Sequence, residues 1–121
     1  MEIRYRGLQY DLPDTVTNQA RKKLFALKKY LANQEAVTQV YVELGKETDA
    51  HHAGRIWLAR INLTHEGQLF RAEALEENVE NALDHAISEL GGELKKAKQR
   101  NESLLRKGGA FLKSFIRRTE S

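Results

Sequence analysis

Apolar and polar positions alternate over residues 2–8, where Ile3 and Tyr5 interleave with Arg4 and Arg6 before Gly7. A period of two predicts a short strand. Asp11-Leu12-Pro13-Asp14 reads as a turn and helix entry. Asp14 is the expected N-cap, because its carboxylate can accept from a free amide one turn in and Pro13 disfavours helix before it. Val16, Ala20, Leu24, Leu27 and Leu31 follow at spacings of four and three. They form one apolar stripe and predict a helix over 15–32, stopped at Asn33.

Three further strands follow. Val37 to Leu44 sets Val40, Val42 and Leu44 on one face, with Gln39, Tyr41 and Glu43 on the other. Gly45 to Gly54 is polar, carries His51-His52 and reads as a loop. Arg55 to Thr64 sets Trp57, Ala59, Ile61 and Leu63 against Leu58, Arg60, Asn62 and Thr64. Clean alternation suits an antiparallel sheet with one covered face. His65-Glu66-Gly67-Gln68 is a hairpin connection, with Gly67 supplying positive φ, and Leu69 to Ala74 returns.

Asn78 is the expected cap of a second helix. Val79, Ala82, Leu83, Ala86, Ile87, Leu90 and Leu94 form its stripe. Gly91-Gly92 weakens that helix by roughly 2 kcal/mol against two alanines, and a kink or boundary is expected there. Helical pattern resumes over Lys95–Arg106. The order is β-α-β-β-β-α. It predicts an α+β two-layer sandwich, a four-stranded sheet with two helices on one face.

The chain has 121 residues and no cysteine, enough for one domain with its own core. Without thiols there are no disulfides, iron–sulfur clusters or Cys-based zinc sites. The short apolar runs do not span a membrane, and the N-terminus lacks a signal-peptide pattern. The net charge of +3 conceals opposed blocks. Residues 1–65 hold 10 basic and 7 acidic side chains, 66–93 hold 1 and 8, and 94–121 hold 9 and 2. The blocks carry +3, −7 and +7, a pattern suited to steering a charged partner.

Catalytic signatures are missing. His51, His52, His65 and His85 fall in no HExxH or Cys/His frame, and there is no GxSxG, GxxxxGKS or GxGxxG. His51-His52 reads as an exposed loop pair, His65 and Glu66 as turn residues, and His85 as a surface residue. Glu73, Glu76, Glu77 and Glu80 favour a helix N-terminus. No enzyme activity, metal or cofactor is expected.

Two basic groups remain. Arg21, Lys22, Lys23, Lys28 and Lys29 belong to the first helix. At 100° per residue Lys22, Ala26 and Lys29 share one side, and Lys28 joins Arg21. Lys95, Lys96, Lys98 and Arg100 lie on the second helix. Side by side, the helices offer one phosphate-tracking surface, since lysine is a flexible point charge. Few aromatics interleave, so base stacking is not indicated.

Arg21-Lys22-Lys23-Leu24-Phe25-Ala26-Leu27-Lys28-Lys29-Tyr30, Asn78-Val79-Glu80-Asn81-Ala82-Leu83-Asp84, Gly67 and Ala72-Glu73-Ala74 carry a resemblance. Over roughly residues 1–100 the chain resembles the short ribosome hibernation-promoting factors, also called ribosome-associated inhibitor or ribosomal subunit interface proteins. The resemblance implies a fold similar to double-stranded-RNA-binding domains. It implies occupation of the tRNA and mRNA channel of the small ribosomal subunit, in 30S or 70S particles, which silences translation in resting or stressed cells. Basic side chains on both helices would contact 16S rRNA phosphates. Lys23 and Lys29 match basic contacts on helix 1, and Lys96 one on helix 2. The pattern departs at Ala26, Glu89 and Gly92, which stand at basic positions, and at Glu80, which replaces an aromatic. Lys22, Lys28, Lys95 and Lys98, with Arg100 beside them, would shift the basic surface.

Residues 1–100 are thus expected to form the ribosome-binding domain of a cytoplasmic protein, monomeric off the ribosome and needing no membrane. Residues 101–121 form a basic amphipathic tail, read as a docking helix or as disorder with occasional helix, and too short for the dimerising domain of the family's long form. Two other readings stay open: a protein-interaction regulator reusing the fold, and a general duplex-RNA-binding module.

Overall fold

The structure is a computed structural model that describes residues 1–47 and 56–120, with side chains through 105. Seven segments follow in order: strand β1 (Glu2–Leu8), helix α1 (Asp14–Phe25), a 3₁₀ segment (Ala26–Tyr30), strands β2 (Thr38–Lys46), β3 (Trp57–His65) and β4 (Gln68–Glu76), and helix α2 (Val79–Glu120). The sheet runs β1-β2-β3-β4. β1 lies parallel to β2 after the α1 crossover, and the other pairs are antiparallel. This is the expected α+β order.

The period-two faces sort as predicted. Val40, Val42, Leu44, Ala59, Ile61, Leu63, Ala72 and Ala74 point into the core, where Val16, Ala20 and Leu24 of α1 and Val79, Leu83, Leu90 and Leu94 of α2 meet them. Leu24, Leu44, Ile61, Leu63, Leu83 and Leu90 are fully buried. Burying each such side chain contributes roughly 1.5–3 kcal/mol.

Five local expectations are corrected. The first helix enters one residue early: Pro13 is the N-cap, with φ −68° and ψ 148°, and no side chain caps. Its carbonyl accepts from Val16 at 3.0 Å and Thr17 at 3.2 Å. Asp14 becomes the first helical residue, where its charge faces the positive helix end. The α-helix then stops at Phe25 rather than running to 32. Leu24, Leu27 and Tyr30 recur every third residue, and a three-residue turn keeps them on one side. Asn33, at φ 50°, reverses the chain after it.

β2 continues through Gly45 to Lys46, so the loop begins later than expected. A Cβ at Gly45 would fall 2.0 Å from the Leu8 carbonyl, and glycine lets β1 close on β2 there. His65 is not a turn residue but the buried last residue of β3. Its Nδ1 lies 2.7 Å from Thr38 Oγ1, and its Nε2 bonds the Ala32 carbonyl. The turn is Glu66-Gly67 alone, both with positive φ as a two-residue hairpin requires.

Asn78 caps α2 as expected, its Oδ1 accepting from the Asn81 amide at 2.8 Å. The helix runs unbroken through Gly91-Gly92. Gly91 is buried against Leu27, and this tertiary contact offsets the poor propensity. The His51-His52 loop and the tail side chains from Arg106 onward lie outside the described residues.

Candidate nucleic-acid interface

α1 and its 3₁₀ extension lie alongside α2 on the covered face of the sheet. The basic side chains do not form one continuous surface across them. In α1 the buried stripe of Val16, Ala20 and Leu24 sets the orientation. Lys22 stands on the outer crest, and Lys23 turns toward α2, where its ammonium pairs with the Asp84 carboxylate. Both partners are about half exposed, at 43% and 52%, so the pair adds little stability. It does remove Lys23 from the set of unpaired cations.

Past Phe25 the α-helical projection no longer applies. Three residues per turn place Lys28 above Phe25 and Lys29 above Ala26. Lys28 Nζ sits 5.4 Å from the Phe25 ring centroid, and Lys29 Nζ sits 5.2 Å from that of Tyr30. Each ammonium thus stands over a ring as a cation–π contact.

The cations of α2 divide between its two flanks. Lys98 faces the 3₁₀ segment; its Nζ donates to the Lys29 carbonyl at 3.1 Å and lies 3.9 Å from the Glu102 carboxylate. Lys95 lies one turn beyond Gly91, which packs on Leu27, and shares that flank. Lys96 faces β4 instead. With Leu69, Phe70, Arg71, Glu89 and Gly92 it lines a depression of about 570 Å³, and its Nζ lies 3.7 Å from Glu93. Arg100, one turn on, follows Lys96. Lys29, Lys95 and Lys98 thus gather at the C-terminal end of the inter-helix groove, with Lys28 beside them and Lys22 about two turns back on the outer crest. Lys96 and Arg100 stand on the far flank.

The acidic block is equally localised. Asp84 and Glu89 lie on the first half of α2, Asp84 against Lys23 and Glu89 against His85. Both His85 nitrogens face carboxylates, Nδ1 at 2.9 Å from Glu76 and Nε2 at 3.0 Å from Glu89. The Glu76 hydrogen bond is the main cause that raises the imidazole above its ordinary 6.5. Electrostatically, α2 changes sign along its axis, so an anionic partner is drawn toward the Lys95–Lys98 end.

Among the described residues, no group of three His, Asp or Glu side chains is placed to hold a metal ion. No described helix is long and apolar enough to cross a membrane. Arg4 and Arg71, far apart in the chain, sit in one row across the sheet. Strand register is the signal that unites them, and composition does not carry it.

A family model described as sigma 54 modulation protein / S30EA ribosomal protein matches residues 3–102. No curated protein matches the chain. Among solved structures, the N-terminal domain of Protein Y from Thermus thermophilus is similar at 25% identity and a TM-score of 0.65, covering 79% of this chain and 98% of that one. A ribosomal subunit interface protein from Coxiella burnetii is similar in fold at 16% identity and a TM-score of 0.65, covering 82% and 99%.

Proposed function

Since the chain belongs to the family described as sigma 54 modulation protein / S30EA ribosomal protein, we propose that it is a ribosome-associated modulation factor that silences translation without catalysis. It sits in the tRNA and mRNA channel of the small subunit and contacts 16S rRNA phosphates through its helices. As a ribosome-bound protein it works in the cytoplasm. The observation that carries this reading is the group of Lys29, Lys95 and Lys98 at one end of the inter-helix groove, tied by the Lys98–Lys29 hydrogen bond, with Lys22 on the outer crest of α1. Flexible ammonium groups suit a phosphate backbone and read no sequence. Lys23, Lys28, Lys96 and Arg100 contribute at the margins. Residues 101–120 serve as a basic extension of the α2 core segment.

Sedimentation tests it. The purified chain, mixed with 30S subunits and 70S ribosomes, is expected in both fractions of a sucrose gradient and is lost from them at high salt. Its absence from those fractions at low salt overturns the reading.

A further inference from the structure

The sheet face turned away from the helices carries cross-strand rows fixed by register. In one row Arg6, Glu43, Arg60 and Glu73 stand side by side. Glu43 lies 3.8 Å from Arg6 and 3.4 Å from Arg60, and Arg60 Nε lies 3.1 Å from Glu73. Two cations and two anions close on themselves and leave no charge over.

The adjacent row differs. Arg4, Tyr41, Asn62 and Arg71 stand in register from β1 to β4. It holds two guanidinium groups and no acid. Among the described residues, neither Arg4 nor Arg71 forms an ion pair. Both are exposed, and Tyr41 and Asn62 are half-buried between them. Two depressions flank Asn62: one of about 250 Å³ reaches to Arg4 and Tyr41, the other of about 350 Å³ to Arg71. Glu2, in the next row, borders the first.

We infer that this row is a binding site for single-stranded RNA running across the strands. Arg4 and Arg71 hold phosphates, a base stacks on Tyr41, and the Asn62 amide bonds a base edge. The dimensions fit. Three strand intervals of about 4.8 Å separate the arginines by about 14 Å. At roughly 3.4 Å per stacked nucleotide this spans about four nucleotides, within the range of single-strand platforms. An acidic peptide would engage the arginines and leave the ring unused. The choice of RNA over DNA rests on the ribosomal reading, but the site uses none of the helix cations.

The test titrates an unstructured RNA octamer into the full chain, followed by amide chemical shifts and fluorescence anisotropy. Shifts are expected at Arg4, Tyr41, Asn62 and Arg71. Tyr41→Leu keeps a strand-compatible side chain but removes the ring, and is expected to weaken binding about 5- to 150-fold. Arg4→Gln with Arg71→Gln is expected to flatten the log–log salt dependence by about 1.4, two phosphates at about 0.7 each. Shifts confined to the helices, an unchanged salt slope, full affinity in Tyr41→Leu, or tighter binding of an acidic peptide at this row each overturn the site. Any of these with ribosome co-sedimentation intact leaves the ribosomal reading standing, whereas loss of co-sedimentation in the parent chain fails that reading instead.

Discussion

Lys98 Nζ donates to the main-chain carbonyl of Lys29 at 3.1 Å, so the second helix caps the 3₁₀ end of the first. The bond spans 69 positions and fixes two cations within one patch. Glu102 stands 3.9 Å from the same Lys98 ammonium, a looser contact than the one Lys23 makes with Asp84.

This asymmetry predicts a ranking among the lysines. Lys29→Ala and Lys98→Ala should each weaken binding to 30S subunits and flatten the log–log salt dependence by about 0.7–0.9. Lys23→Ala should change both less, because binding already requires its separation from Asp84. Anisotropy of labelled protein against 30S subunits, repeated from low to high KCl, measures the slopes. Equal slopes for all three variants would show that Asp84 does not restrain Lys23.

Arg60 holds the charged ladder together. The Glu43 side chain is only 12% exposed, and Arg60 is its nearer partner at 3.4 Å, against 3.8 Å for Arg6. Arg60→Ala leaves that carboxylate with the distant cation alone. A cost of about 1–3 kcal/mol is expected, limited because Arg60 is itself 39% exposed. Adding Glu43→Gln should recover part of it. Urea unfolding of both single variants and the pair measures the coupling, and strict additivity would contradict it.

The periodic parts of this fold were readable before any coordinates. Alternation over Val40–Leu44 and Trp57–Thr64 gives strands with the correct inward faces, and threes and fours from Val79 to Leu94 give α2 with its Asn78 cap. Features set by long-range contact were not. The 3₁₀ segment departs from a 100° projection and shifts Lys28 and Lys29. His65 looks like a hairpin residue until Thr38 and Ala32, both distant in sequence, supply its partners. Lys95 and Lys96 are neighbours in the chain, yet α2 sends them to opposite flanks. Arg4, Tyr41, Asn62 and Arg71 become one row only through register, so aromatics counted along the chain conceal the platform.

The glycine pair in α2 should respond unequally to alanine. A Cβ on Gly92 meets nothing within 4 Å. Gly92→Ala should therefore stabilise by about 1 kcal/mol through helix propensity. A Cβ on Gly91 would lie 3.1 Å from Leu27 Cδ2. Gly91→Ala should gain less or lose, since Leu27 is itself buried and must shift. Urea midpoints at constant m-value decide between them, and equal gains would mean that Leu27 yields freely.

His85 gives stability a pH dependence of defined sign. Glu76 approaches from the end of β4 and Glu89 from the next turn of α2, and each faces one ring nitrogen. The Glu76 hydrogen bond raises the folded-state pKa above 6.5; desolvation opposes it, and the Glu89 and Glu76 charges add to the rise. The folded protein therefore binds this proton more tightly than the unfolded chain. The resulting stabilisation is full below the unfolded value and is lost as pH rises through the folded one. The stability difference between the parent chain and His85→Gln should then be largest near about pH 5–6 and should shrink above neutrality. Glu89→Lys should bring the His85 titration back toward 6.5 by reversing one of the charges that raise it. The same change installs a cation where the family resemblance expects one. Imidazole titration by NMR reads the shift, and denaturation across pH reads the stability. A His85 titration unmoved by Glu89→Lys would mean that the Glu89 charge does not act on the ring.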